Sequence, residues 1–470
     1  RRRRTRKSFG FPGFRVHFRV VDLTRTLGQP EGKTLEFKRD LSSPAGVMRA
    51  VVAFANTAGG TVIIGVDDGS RHVRGVSNPV ELEERLSNMV SDTIRPRLVP
   101  DIEVLPWRRT HLVAVHVYPS PGRPYFLERE GVERGTYVRV GSTNRRADRD
   151  LIEELRRFSR GESFDEQAMP DLDSEAIDFR AASESFSELR KLKRSDLTTL
   201  NLVTTHQRRK VPTVGGILLF GVDRARHFPD AYIQAGRFAG TDKAKIADHI
   251  EIRSYPVVAI EEAIGFVQKH VLRAAEIGAL RRKDRFTVPP VAVREAVVNA
   301  VVHADYAQRG APIRISIFDD RLEVESPGLL PFGLTVEDLR QGVSKLRNRV
   351  VGRVFHELGL IEHWGSGIQR MTAACRDAGQ PPPLLEEIGT RFRVTLSTAR
   401  ELAPVLDPID AAILDSLNED EGRSTQQIAN AIKRTARTTR TRLQRLVDRG
   451  LVREVGSSPQ DPRRRYYRAT

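Results

Sequence analysis

A multidomain chain of α/β and α+β units is expected, on three observations. Its 470 residues, at roughly 150 per domain, suggest about three domains. Helix-like and strand-like periodicities alternate from about residue 31 to residue 396. Beyond Pro404 the pattern changes to three short amphipathic helices and two arginine-rich strands.

Composition narrows the partners. The net charge is +16 and the isoelectric point about 10.3, which favours a polyanion: nucleic acid or an acidic membrane surface. No apolar run approaches the ~18 residues of a membrane span, and no amphipathic anchor is visible, so no membrane partner is expected. An arginine-rich but merely soluble protein remains the alternative, since 61 acidic residues are also present. The basic opening RRRRTRK has no apolar stretch after it, so no secretory signal is expected. The single cysteine, Cys375, excludes an internal disulfide and a Cys-rich zinc site, and suits a reducing cytoplasm.

In chain order, residues 1–30 are a basic arm with Phe9, Phe11, Phe14 and Phe18 interleaved, read as a mostly mobile end or a nucleic-acid arm. The string GQPEGKT from Gly28 is not a P-loop, because three residues separate its glycines where four are needed. Residues 31–158 read as an α/β domain: EFK, a helix over 41–56, a Gly turn into the buried strand GGTVIIGVDD, and further strands at 112–117 and 135–140. The loop after the last strand is basic, with Arg139, Arg145 and Arg146. Residues 159–285 form a charged, loosely packed connector and a middle α/β unit, with buried strands at 211–221 and 231–240 and a helix over 250–279.

Residues 286–400 carry the densest chemistry. REAVVNAVVHADY (294–306) reads as a helix in which Glu295, Asn299 and His303 fall at i, i+4 and i+8. A polar stripe on an apolar helix is costly unless satisfied or used. A half-exposed amphipathic helix is the plain alternative. Strands at 312–318 and 322–325 follow as a hairpin, then the turn SPGLLP from Ser326 with Gly328. WGSGIQRM (364–371) sets Gly365 and Gly367 before an amphipathic run, where glycines let backbone N–H groups approach a phosphate.

This ordered set resembles the GHKL (gyrase, Hsp90, histidine kinase, MutL) ATP-binding fold, an α/β sandwich, over about residues 288–396. The closest likeness is the variant that follows a Schlafen/AlbA-type domain in prokaryotic proteins often labelled helicase-related. The resemblance implies ATP with Mg²⁺: Asn299 would hold the ion, Glu295 would line the site as a possible water-activating base, and Ser326 and Gly328 would stand in the first Gly box. The family variant reads Asn-Pro-Gly-Gly where this chain has Ser326-Pro327-Gly328-Leu329. Residues 342–359 would be a mobile lid whose Lys345, Arg347 and Arg349 meet phosphates, or else a solvated basic helix end.

EFK, AFANTAGGTVIIGVDD and YVRVGST together resemble the Schlafen/AlbA-type domain, which implies nucleic-acid binding. In Schlafen ribonucleases two Glu residues five apart and an Asp in the following turn form a metal-dependent triad; Glu31, Glu36 and Asp68 hold those positions. Clustered carboxylates hold Mg²⁺ or Mn²⁺ and activate water. Exposed strand residues and turn-forming aspartates are the other reading.

Residues 405–470 resemble a winged helix-turn-helix. Leu443, Leu446 and Val447 of its third helix face inward, and Arg437, Arg440 and Arg442 face outward toward DNA; a protein-docking bundle is the alternative. The expectation is a cytoplasmic, ATP-binding protein acting on DNA and/or RNA, a transcriptional regulator or defence-type factor, whose relatives self-associate as homo-oligomers. A metal-dependent ribonuclease and an ATPase remodelling DNA stand beside it. Nucleotide occupancy would move the lid and alter nucleic-acid engagement.

Overall fold

The computed structural model describes residues 23–277, 282–362, 365–398, 407–418, 422–448, 451–455 and 464–468. Most of the basic arm, Trp364, Gly450 and the polar loop of the wing lie outside them. The chain divides into two compact units, 1–399 and 400–470.

The first unit opens with β1 (Leu35–Lys38), α1 (Pro44–Asn56) and β2 (Gly60–Ile64), followed by α2 (Pro79–Thr93), β3 (Asp101–Trp107) and β4 (Thr110–Val117). The sheet order is β1-β2-β4-β3, with β1 and β2 parallel across the α1 crossover. Every residue from Ala50 to Asn56 is buried, so the second half of α1 is enclosed around its whole circumference. Gly59 turns the chain from α1 into β2 at φ +78°, and a Cβ there would sit 2.7 Å from the Val117 carbonyl. Asn56, fully buried, donates to the carbonyls of Tyr125 (2.8 Å) and Tyr137 (2.9 Å) and accepts from the Tyr125 N–H. It thereby pins two later segments to the helix end, including the hairpin β5 (Tyr137–Val140) and β6 (Thr143–Arg146). Helix α3 (Arg149–Arg160) follows, capped by Asp148 and ended by Gly161 in the left-handed region.

The connector is not loose. Phe186, Leu192, Leu197, Leu200 and Leu202 enter the largest core of the molecule. The run 211–221, read as a strand, is instead the end of a short strand and a fully buried helix, α4 (Val214–Phe220). Thr213 caps it by accepting from the Gly216 N–H at 3.0 Å. A short continuous apolar run suits a buried helix as well as a buried strand, and periodicity cannot separate them. The span 250–279 also divides: a strand ends at Ile252, helix α5 covers Pro256–Val271, and a hairpin of Leu272–Ile277 with Arg282–Phe286 follows.

Besides two small antiparallel pairs, Val203–His206 with Arg209–Pro212 and the hairpin just described, the middle segment gives its two longest strands to a larger sheet. Strands β7 (Ile233–Phe238) and β8 (Ile246–Ile252) join β9 (Ile313–Ile317), β10 (Arg321–Pro327), β11 (Leu384–Ile388) and β12 (Arg391–Ser397) in one sheet, ordered β8-β7-β9-β10-β12-β11. The β7–β9 pair is parallel and the others antiparallel. Helix α6 (Pro290–His303) packs beside α5 and α8 (Gly367–Asp377) over this sheet. Helix α7 (Arg349–Glu357) begins on the connector's Asp165, whose buried carboxylate accepts the N–H groups of Arg349, Val350 and Val351.

The second unit holds α9 (Pro408–Asp415), α10 (Thr425–Ala431), α11 (Ala436–Asp448) and the antiparallel pair β13 (Val452–Val455) and β14 (Arg465–Arg468). Ser424 and Gln427 close a capping box at the start of α10. Leu443 and Leu446 are fully buried against Ile413, Leu417, Ile428 and Tyr466.

Candidate functional site

An apolar-walled cleft lies between α6, the β10 turn and the segments before α7 and α8. Eight residues singled out in the sequence line it: Glu295, Asn299, His303, Ser326, Gly328, Lys345, Gly365 and Gly367. They come from four separate stretches of chain. The stripe on α6 forms one wall, because its other faces, with Val297, Val298, Val301 and Val302, are buried in the core. Leu329, Leu330, Leu339, Ile361 and Phe392 supply an apolar side. Such a wall with a few convergent polar groups is the usual form of a small-molecule site.

The polar groups differ in how well they are satisfied. Glu295 is buried and paired with Arg370, Oε1 to Nη2 at 3.0 Å. Sequence reading missed Arg370; its i+3 spacing after Gly367 was the available signal. Asn299 is half-buried, and its amide makes no hydrogen bond within the described residues. His303 has a buried Nδ1 without a partner among the described residues. Burial first, then the nearby Arg347 charge, lower its pKa to about 4, so the ring is neutral at pH 7. The GSG turn sits against this corner: a Cβ at Gly367 would lie 2.7 Å from Glu295 Oε2 and 3.3 Å from Asn299 Nδ2. Gly328, at φ +102°, is closed in by Asp305 and Arg347.

Arg347 departs from its expected place. Its side chain, 8 % exposed, turns away from the cleft to pair with Glu154 of α3 and to donate to the Leu329 carbonyl. Arg349 likewise donates to the Gly161 carbonyl at 2.7 Å and pairs with Glu166 at 3.3 Å. Lys345 donates to the Phe332 carbonyl, and its ammonium lies 3.7 Å from the Phe158 ring centroid. The segment expected to be a mobile lid is thus tied at three points to α3 and the connector.

In the first domain the acidic trio is only partly gathered. Glu31 accepts from the Phe37 N–H at 2.7 Å; burial, and then Asp68 and Glu36, hold its carboxyl above the usual range. Glu36 is buried with both oxygens engaged, Oε1 by Lys38 at 2.6 Å and Oε2 by Arg139. Asp68 is exposed, 4.0 Å from Lys38. Among the described residues no group of three or more His, Cys, Asp and Glu side chains is placed to hold a metal.

Arg139, expected to touch nucleic acid, is fully buried instead. Besides Glu36 it donates to Asn144 Oδ1 (2.9 Å) and to the carbonyls of Gly32 (2.9 Å) and Leu35 (3.2 Å), and it stacks over Phe54. With its donors filled it ties β1 to the β5–β6 hairpin and cannot reach a phosphate. Arg145 and Arg146, on β6, are exposed.

On α11, Arg437 and Arg440 are exposed. Arg442 is not free to face DNA: it pairs with Asp407 at 3.0 Å and Asp410 at 3.2 Å, tying α11 to α9. Asp410 is 2 % exposed, so Arg442→Ala leaves a buried carboxylate without its partner. We expect this variant to lower the urea midpoint of the second unit, read by hydrogen exchange. Arg440→Ala serves as the control and should leave the midpoint unchanged.

Three family models match the chain. Residues 31–148 match "Schlafen, AlbA_2", residues 310–396 match "Putative ATP-dependent DNA helicase recG C-terminal", an HATPase-type model, and residues 406–453 match "Winged helix-turn-helix DNA-binding". The chain therefore combines a Schlafen/AlbA-type domain, an HATPase-type domain of the recG C-terminal kind and a winged helix-turn-helix domain. Helix α6 precedes the second match, so its place in the site rests on the cleft.

Among solved structures, the chain is similar to the DIP2311 protein from Corynebacterium diphtheriae, with 22 % identity over 88 % of this chain and 87 % of that one, at a TM-score of 0.41. It is also similar to the N-terminal domain of a RecG-related protein from Nitrosomonas europaea, with 24 % identity over 26 % of this chain and 92 % of that one, at a TM-score of 0.22. No curated protein matches. No helix among the described residues is long and apolar enough to cross a membrane.

Proposed function

We propose that this chain is a nucleotide-responsive, DNA-binding regulator of transcription. One observation carries the nucleotide half: an apolar-walled cleft where the unpaired Asn299 amide and the orphaned Nδ1 of His303 meet a glycine turn. These residues fit a nucleoside triphosphate. The apolar side suits a base, and the N–H groups at the start of α8 suit phosphate. Asn299 and Glu295 are the side chains that would hold Mg²⁺, which when bound neutralises phosphate charge. Glu295 would also orient water if the nucleotide is hydrolysed, with Arg370 holding its carboxylate in place.

The DNA half rests on the winged helix-turn-helix with Arg437 and Arg440 exposed on its third helix, aided by Arg145 and Arg146 in the first domain. Each arginine that neutralises a phosphate adds about 0.9 to the slope of log affinity against log salt. The full chain should bind duplex DNA with a steep inverse salt dependence, and Arg437→Ala with Arg440→Ala should reduce that slope by about 2. Adding ATP and Mg²⁺ should shift the DNA affinity of the wild type but not of Asn299→Ala. An unchanged slope would turn us to a protein-docking role for the third helix. Identical affinity with and without nucleotide would remove the regulatory reading.

The ribonuclease reading is not adopted, because Lys38 and Arg139 already occupy the oxygens that Glu36 would offer a metal. We expect no Mn²⁺- or Mg²⁺-dependent cleavage of structured RNA by the wild type. Cleavage that Asp68→Asn abolishes would reverse this, since Asp68 is exposed and its replacement leaves the fold intact.

A further inference from the structure

A second cavity lies behind the lid, between α3 with the following 161–164 and the segments 331–332 and 345–349. It shares Pro331, Lys345 and Leu346 with the nucleotide cleft, and apart from Lys345 its polar groups are different. The cavity holds about 250 Å³. That is room for several waters or a small ligand, since one water needs only ~10–15 Å³.

Four cations, Arg157, Lys345, Arg347 and Arg349, face three acids, Glu154, Glu162 and Asp305, on its walls. Lys345 has no carboxylate partner among the described residues; one carbonyl and the Phe158 ring are its contacts. Burial, with Arg123 and Arg349 adding like charge, lowers its pKa to about 8. Arg157 makes no hydrogen bond or ion pair through its side chain within the described residues, and its guanidinium lies 5.3 Å over the Phe164 ring. The Nε of Arg347 is buried without a partner among them. Of the acids, Glu162 is exposed and the other two are already engaged. Glu154 is already paired with Arg347, and burial holds its carboxyl above the usual range. Asp305 accepts from the Ala307 N–H and from Gln308. Half-buried cations short of counter-charge carry a desolvation cost, which an oxyanion offsets by accepting from the open donors.

We propose that this cavity binds a phosphate group, free or carried on a small molecule whose apolar body lies against Phe158 and Phe332, at a site separate from the nucleotide cleft. Lys345 and Arg157 hold the phosphate oxygens, and the Arg347 charge lies on the same wall. The ligand sits against the back of the segment that carries Lys345, so it reinforces the attachment of that segment to α3.

The test is thermal unfolding and calorimetry of the full chain with inorganic phosphate or AMP, against chloride at equal ionic strength. Phosphate should raise the unfolding temperature beyond chloride. Measured in Asn299→Ala to silence the cleft, tighter binding of AMP than of phosphate would identify a phosphate carried on an apolar body, and equal binding the free ion. Arg157→Gln should weaken phosphate binding about tenfold, as loss of a charged hydrogen bond does, and Arg157→Lys should restore part of it. Asn299→Ala should leave it unchanged, and Arg157→Gln should leave ATP binding unchanged. These last two arms separate this site from the cleft: a phosphate effect lost in Asn299→Ala belongs to the cleft and overturns the proposal. So does an effect no larger than that of chloride, or one indifferent to Arg157→Gln.

Discussion

Replacing Gly367 by valine is expected to abolish nucleotide binding. The Cβ alone would stand 2.7 Å from Glu295 Oε2 and 3.3 Å from the Asn299 amide, and the branched methyls project further into the same corner. Glu295 cannot retreat cheaply, because it is buried and held by Arg370. The added bulk also keeps phosphate from the N–H groups at the start of α8. Affinity should fall at least about 100-fold, or about 2.7 kcal/mol. Overpacking will cost the fold about 1–3 kcal/mol as well. Asn299→Ala is therefore the companion variant: it removes an unpaired amide, adds no bulk, and should lose Mg²⁺-dependent ATP binding at an unchanged unfolding temperature. Calorimetry showing wild-type affinity in both variants would refute the assignment of the cleft.

Replacing Arg139 by methionine should destabilise the first domain by about 3–5 kcal/mol, the cost of removing one partner of a buried charge pair. The buried Glu36 carboxylate keeps Lys38 alone, and the carbonyls of Gly32 and Leu35 lose a donor. Arg139→Lys should rescue little, since a single ammonium cannot replace a planar fork that reaches four acceptors. Urea unfolding followed by hydrogen exchange over residues 31–146 reads this directly. Arg145→Ala, exposed on the neighbouring strand, should leave stability unchanged and weaken nucleic-acid binding only. If Arg139→Lys were as stable as wild type and lost only nucleic-acid affinity, the buried-strut assignment would be wrong.

Arginines in both units show where sequence reading stops. Arg139, Arg145 and Arg146 belong to one basic stretch, and nothing local separates them. Strand alternation places Arg139 and Arg145 on their hairpin, but only the packing of β1 and α1 over it decides which side is enclosed. Arg437, Arg440 and Arg442 pose the same problem: helical spacing gives their directions, whereas Asp407 and Asp410, some 30 residues away, capture Arg442. Ion pairs between distant segments leave no periodic trace.

Local patterns were enough for the polar stripe of Glu295, Asn299 and His303, the hairpin after it, the glycine turn before α8 and the three helices with their wing. Each of these follows from short-range chemistry: helical and strand periods, caps, and the turn residues that glycine permits. Three features came from the folded chain alone: β7 and β8 complete the sheet of the HATPase-type domain, the 211–221 run is largely a helix, and Arg347 leaves the cleft for Glu154. The difference is one of range. A backbone period reports which face of an element is apolar. The partner that covers that face, and the charge that neutralises a buried one, come from segments up to 354 residues away, as Lys33 and Glu387 do, and are fixed by packing and desolvation.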